Sequence, residues 1–227
     1  SSSLIDLLGV KYVVTSKDIY DNDKGNNGTA IPDSSNFDRN GGKQHLRLVF
    51  DKEMRIYENE NVLPRVFIIN NYKVFDSRDA VLKYMANPEF DPLKAVVIEE
   101  NAGYADFPQK EGPYFMSVPE FVHYGINKVI IKTHTNDDGI LILTDNYTPD
   151  WKVFIDGQEN KVFPAYITFR AVFLPKGEHI VEFSYRPLSF YRGLFISLFF
   201  AAVVFSLILF LFFRGKGVAN AYEISSL

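Results

Sequence analysis

The sequence predicts a mainly β protein: a mixed α/β N-terminal region, then an antiparallel β-sandwich, then one C-terminal transmembrane helix. Three observations carry this. Six short strand-like runs, each bounded by turn residues, lie between Lys128 and Tyr185. A 21-residue uncharged stretch, Gly193 to Phe213, follows them. Before about residue 120 the pattern is different, with strand-like runs set around one stretch of helical spacing.

Taken in order, Leu4 to Leu8 reads as a short helical turn and KYVVT, Lys11 to Thr15, as a strand. Asp18 to Gly42 is rich in Asn, Gly, Asp and Ser and reads as a long disordered loop. It contains Asn27-Gly28-Thr29, a glycosylation sequon whose meaning depends on a secretory context. His45 to Asp51 and Met54 to Glu58 form a hairpin pattern, and Arg65 to Asn70 a further strand. Asp76 to Met85 has helical spacing, with Ala80, Val81 and Tyr84 on one side, Ser77 placed to cap it and Pro88 beyond it. Lys94 to Glu99 is a strand, and Asn101 to Pro119 a loop rich in Gly and Pro.

The sandwich follows over 120–187. Its strands are Lys128 to Thr135, Ile140 to Asp145, Trp151 to Asp156, Lys161 to Tyr166, Phe169 to Leu174 and His179 to Tyr185. Turn chemistry fills the gaps, at 136–139, 156–159 and 175–178. In the last strand His179, Val181, Phe183 and Tyr185 share one face, and Ile180, Glu182 and Ser184 the other. Arg186-Pro187 then leads almost directly into the apolar segment, so the sandwich is expected to lie close to a bilayer.

At 1.5 Å per residue the 21 uncharged residues span about 31 Å, one hydrocarbon core. Sixteen of them are Leu, Ile, Val or Phe, which favours insertion by roughly 5–10 kcal/mol at most. The transmembrane helix is drawn at 188–214, with a short tail at 215–227. Tyr185, Tyr191 and Arg192 flank one end, and Arg214 and Lys216 the other. The flanking charges tie, so they give no orientation. Gly193, Ser197 and Ala201 recur every four residues on one face, a pattern that lets helices approach closely and that implies neighbouring membrane helices. Chance spacing explains three small residues equally well. The opening SSSLIDLL carries neither Met nor a signal peptide. A chain beginning there would be tail-anchored and cytoplasmic; a piece of a longer membrane protein could face either way.

Composition narrows the chemistry. Net charge is -4 with no basic stripe, so nucleic acid is not an expected partner. Cysteine is absent, which excludes disulfides, thiolate metal sites and a cysteine nucleophile. His45, His123, His134 and His179 lack metal-ligand spacing, and no phosphate loop, zincin motif or nucleophile elbow occurs. The carboxylate pairs Asp137-Asp138 and Glu99-Glu100 are adjacent residues whose side chains point apart. No catalytic residue, metal or cofactor is assigned. The richest cluster is Asp145, Tyr147, Asp150 and Trp151. An indole beside carboxylates can hold a sugar, the ring taking its apolar face and the acids its hydroxyls. Equally, Trp151 can open a strand and plug the core while the acids serve the turn. Arg170, inside the apolar strand ITFRAVF, must face outward or pair with an acid such as Asp145.

Several segments together resemble one family. They are LLGVKYVV, YENENVLPRVFIINNYKV, FDPLKAVVIEE and the run LILTDNYTPDWKVFIDGQENKVFPAYITFRAVFLPKGEHIVEFSYRP. Their likeness is to the C-terminal part of YfhO-like bacterial membrane proteins. The Tyr-Thr-Pro-Asp-Trp stretch, Tyr166 with Arg170, and the Phe-Ser-Tyr-Arg-Pro exit are its most specific parts; Thr148-Pro149-Asp150 is longer than the expected approach to the Trp. The resemblance implies a multi-pass protein similar to GT-C glycosyltransferases, using polyprenyl-phosphate sugars to decorate cell-envelope polymers. It also implies that 1–187 is extracytoplasmic and the C-terminus cytoplasmic. The implied catalytic carboxylates belong to an earlier loop outside this sequence. Expected partners are the lipid bilayer, other transmembrane helices of the same parent and an envelope glycan or polymer. Asp145, Tyr147, Asp150, Trp151, Tyr166 and Arg170 are the candidate contacts. The alternatives are a non-enzymatic structural or protein-interaction cap and a tail-anchored binding protein.

Overall fold

The computed structural model describes residues 2–16, 46–99 and 116–224, with Ser2 and 212–224 described by backbone alone. The loop and sequon expected within 18–42, and most of the loop expected after Asn101, lie outside the described residues. Two compact units divide the chain between Ser184 and Tyr185.

The first unit is β-rich. Helix α1 (Ser2–Leu7) leads into β1 (Tyr12–Thr15), and β2 (Leu46–Asp51) and β3 (Arg55–Asn59) form the expected hairpin. These three strands make an antiparallel sheet in the order β1-β3-β2. Asn59 ties it to α1: its side-chain amide donates to Asp6 at 2.9 Å and to the Val10 carbonyl at 3.0 Å.

Strands β4 (Val66–Ile69), β5 (Tyr72–Phe75), β6 (Val96–Glu99) and β7 (Met116–Ser117) come next, with helix α2 (Arg78–Met85) between β5 and β6. Ser77 caps α2 as its sequence position predicts, its hydroxyl accepting the Ala80 N–H at 3.3 Å. Then follow β8 (Glu120–Tyr124), β9 (Lys128–Thr135), β10 (Gly139–Asn146), β11 (Trp151–Ile155), β12 (Gln158–Asn160), β13 (Phe163–Ala165), β14 (Phe169–Leu174) and β15 (Gly177–Tyr185).

Two further sheets arise. One has five strands in the order β12-β11-β15-β9-β8, and the other has seven in the order β5-β6-β13-β14-β10-β4-β7. β10 pairs antiparallel with β4 and β14, as do β13 with β14 and β6, β4 with β7, β11 with β12, and β9 with β8 and β15; β5 and β6 run parallel, and α2 connects them as a crossover must. The five-stranded sheet comes wholly from the segment read as the sandwich. The seven-stranded sheet does not: β4 to β7 precede residue 119, and β10, β13 and β14 follow it. The division drawn at 119 therefore cuts through one sheet. Strand pairing joins distant segments, and hydrophobic periodicity says nothing about which segments pair.

The seven-stranded sheet is buried on both faces. On β10, Ile140 and Ile142 join the cluster formed with α1 and α2, while Leu141 and Leu143 are buried on the other side. On β14, Phe169 and Ala171 take the first side and Arg170, Val172 and Leu174 the second. That second side meets the five-stranded sheet, since the Arg170 guanidinium lies 3.8 Å from the Trp151 ring centroid and 5.7 Å from that of Phe183. Helices, mixed sheet and antiparallel sheet thus form three layers.

The Asp156-Gly157 turn is the expected hairpin signal. Both residues have positive φ, 50° and 82°, as a two-residue primed turn requires. The strand β12 follows at once, where the sequence suggested the turn would continue.

The second unit contains helix α3, Leu188–Ile224. Of this, Leu188–Leu211 is long and apolar enough to cross a membrane; 24 residues rise about 36 Å. The helix runs on through the segment read as a tail, as backbone, to Ile224. Gly193 has nothing within 4 Å of where a Cβ would stand, so the small-residue face is open.

Candidate functional site

The site begins with an irregularity in β10. Leu141, Leu143 and Asp145 alternate onto the face that meets the five-stranded sheet. A bulge between Leu143 and Asn146 then shifts the register against β14, so that Leu143 pairs with Arg170 and Asn146 with Phe169. Thr144 holds the strand there, its N–H donating to the Arg65 carbonyl at 2.9 Å.

This sets Asp145 beside Arg170. The Arg170 side chain is 4% exposed and that of Asp145 15%, with Nη2 2.7 Å from Oδ2. A guanidinium buried in a β core must find a counter-charge. The pairing that the sequence offered as one of two options for Arg170 is the one adopted. Burial pulls the Arg170 pKa below its ordinary value, and the Asp145 charge opposes that pull. The guanidinium carbon lies over the Trp151 ring, 3.8 Å from its centroid, where the ring face attracts the cation. Its Nε and Nη1 have no hydrogen-bond partner among the described residues.

Two further groups complete the cluster. The Tyr124 hydroxyl lies 3.0 Å from both Asp145 oxygens, so its one proton is shared between them. Burial, then the bond to Asp145, raises the Tyr124 pKa. Arg65 Nε lies 3.5 Å from Asp145 Oδ1, and its guanidinium sits 5.3 Å from the Tyr124 ring centroid. Two cations thus surround one carboxylate, a local excess of positive charge.

An open cavity of about 320 Å³ lies here, lined by Tyr124, Gly125, Ile126, Asp145, Trp151 and Arg170. Three of the six sequence candidates therefore come together. Tyr147 and Asp150 sit in the turn before Trp151, where Tyr147 N–H donates to the Thr168 carbonyl at 2.6 Å and Trp151 N–H to the Thr148 carbonyl at 3.1 Å; neither lines the cavity. Tyr166 lies on the opposite side of the seven-stranded sheet. It is fully buried, its hydroxyl 2.6 Å from the Pro92 carbonyl and 3.2 Å from that of Ala95. Its backbone and that of Ile167 take positive φ, 47° and 74°, which breaks the alternation between β13 and β14. Trp151 is 9% exposed and one face is covered by Arg170, so the indole clamps the two sheets and shows the cavity only part of itself.

Sequence reasoning missed Tyr124, Ile126 and Arg65. A signal for the first two was present: EFVHYGINKVII reads as two strands around Gly125-Ile126-Asn127. Elsewhere, Asp138 accepts the Lys176 N–H at 2.9 Å and His179 Nδ1 lies 2.7 Å from Asp156, both turn-stabilising contacts. No cluster of metal-ligating residues occurs among the described residues.

Residues 119–197 match the family described as bacterial membrane protein YfhO. This stretch holds the whole five-stranded sheet, the Asp145–Arg170 pair, Trp151 and the start of α3. No curated protein and no solved structure matches the chain. The match takes in strands that build the site and lead into an apolar helix, and over residues 119–197 the chain is similar to the YfhO family of bacterial membrane proteins.

Proposed function

We propose that this chain is the extracytoplasmic accessory domain and adjoining membrane helix of a YfhO-like protein, with its C-terminus in the cytoplasm. The domain helps position an envelope polymer for glycosylation from polyprenyl-phosphate sugars, and the group-transfer chemistry belongs to other parts of the parent. The observation that carries this reading is the cavity at Tyr124, Asp145, Trp151 and Arg170. It offers an aromatic edge, a hydroxyl and a carboxylate for sugar hydroxyls. Its excess of guanidinium suits a polymer bearing phosphate or carboxylate groups.

The test is titration of the chain in lipid nanodiscs with purified envelope polymers, followed by Trp151 emission and by co-sedimentation. Saturable binding that Tyr124→Ala weakens and Lys176→Ala leaves unchanged supports the reading. Absence of saturable binding to every envelope polymer tried sinks it.

A second reading, a non-enzymatic brace for the membrane bundle, draws on the covered face of Trp151. The indole surface a sugar would stack on is already taken by Arg170 at 3.8 Å. On this reading Gly193→Leu disrupts assembly with partner helices while polymer binding is never detected; undisturbed assembly counts against it.

A further inference from the structure

Ile126 is 93% exposed, in the turn between β8 and β9. Gly125 N–H closes that turn on the Lys128 carbonyl at 2.9 Å. Turn positions facing water favour Gly, Asn, Asp or Ser, for backbone reasons that do not apply to a β-branched aliphatic side chain. Val122 and Tyr124 on β8 are exposed as well. Single exposed apolar side chains are ordinary. The position of this one in the sheet is what sets it apart.

Tyr124 pairs with Val129 on β9, and Lys128 on β9 pairs with Ser184 on β15. The turn therefore lies at the end of the sheet where β15 finishes. From Ser184 to Leu188 the chain covers at most about 14 Å, a covalent limit that holds whatever angle the helix takes. From Leu188 onward the chain is an apolar helix of membrane-spanning length. The polar zone on each side of a hydrocarbon core is about 5–7 Å deep. The tether therefore keeps this end of the sheet within about 14 Å of the residue where the apolar helix begins. The opposite end, where Gly177 pairs with Thr135, is about 26 Å away along β15.

We propose that the β8–β9 turn is a lipid-contact element. Ile126 enters the boundary between headgroups and acyl chains, Tyr124 lies at headgroup level with its hydroxyl on Asp145, and Arg65 faces the phosphates, Lys128 being paired with Glu182 at 2.9 Å. The cavity that Tyr124, Gly125 and Ile126 help to line then opens at the membrane surface, so its occupant is one presented there. The inference rests on α3 spanning the membrane and not on the proposed polymer contact, so either can fail alone.

The absence of cysteine makes the test direct. Ile126→Cys and Lys176→Cys are prepared separately in the full chain in lipid nanodiscs, Lys176 lying at the far end of β15. Alkylation by a water-soluble maleimide is expected to be several-fold slower at position 126 than at 176. A fluorophore at 126 is expected to be quenched by a lipid-borne quencher and a fluorophore at 176 by iodide. Equal alkylation rates overturn the proposal. So does a label at 126 that iodide quenches and lipid does not. A label at 126 that neither quencher reaches also overturns it, because a protein partner then covers the turn.

Discussion

Removing Asp145 should damage this protein far more than removing the arginine it pairs with. Arg170 is 4% exposed, and two of its three nitrogens already lack partners among the described residues. Asp145→Ala leaves its charge in the sheet interface with no acid at 2.7 Å. Breaking a buried pair in this way costs about 3–5 kcal/mol, and the nearby cavity, which lets water approach, argues for about 3. Arg170→Met removes the charge itself and keeps most of the apolar stem against Trp151. Asp145 then retains the Tyr124 hydroxyl, Arg65 and some contact with water, so the cost should be about 1 kcal/mol or less. With a urea m-value of about 2–3 kcal/mol/M, Asp145→Ala lowers the midpoint by about 1–1.5 M and Arg170→Met by less than about 0.5 M. The double variant should be milder than Asp145→Ala alone. Urea unfolding in detergent micelles, followed by the single Trp151 and by circular dichroism, measures all three. If Arg170→Met proves as damaging as Asp145→Ala, the desolvated charge is not what makes the pair matter.

Tyr166→Phe leaves the buried Pro92 and Ala95 carbonyls without their shared donor and should cost about 1–3 kcal/mol in the same assay, without altering polymer binding. Gly139→Ala would place a Cβ 2.8 Å from Ile68 Cγ2 and 3.2 Å from the Ile69 carbonyl oxygen; a loss of about 1–3 kcal/mol is expected. Asp156 accepts from His179 and from the Ile180 N–H, the first contributing most to a pKa below the ordinary carboxylate value. A lowered folded pKa stabilises above the unfolded pKa, so the advantage of the native chain over Asp156→Ala should be full above about pH 4 and fade as pH falls further. For the proposed orientation, Lys176→Cys in intact cells should react with an impermeant maleimide; labelling only after lysis places the domain inside.

The parts of this fold visible in the sequence were those governed by local rules. Phe169–Leu174 is a strand over the predicted residues, Ser77 caps its helix, and the β15 alternation reappears as buried Val181 and Phe183. The seven-stranded sheet was not visible, because its order depends on pairings such as β10 with β4 across some seventy residues. Short strands were also missed. Tyr72–Phe75 follows two asparagines, and Glu120–Tyr124 ends in a turn that carries isoleucine. At the site the same division holds. A charge inside an apolar strand demands a partner, so Asp145 with Arg170 could be read. The strand and turn that carry Tyr124 were legible in EFVHYGINKVII, but its hydrogen bond to Asp145 was not, since no unpaired charge at Tyr124 demanded a partner. Tyr166 and Arg170 looked like companions, yet the positive φ angles at 166 and 167 put them on opposite sides of a sheet.

The strand β15 sits in the middle of its sheet, in register with β9 over Gly177 to Ser184 and flanked on its other edge by β11. It is also the strand that continues into α3. Any load passed from α3 to the domain therefore enters through β15, and its component along that strand runs parallel to both neighbours. The ladders on both sides carry that load in shear, all bonds together, and an edge strand peeled away one bond at a time would yield far sooner. On the proposed polymer contact, a domain dragged by that polymer while its helix stays fixed in lipid is loaded through this central strand.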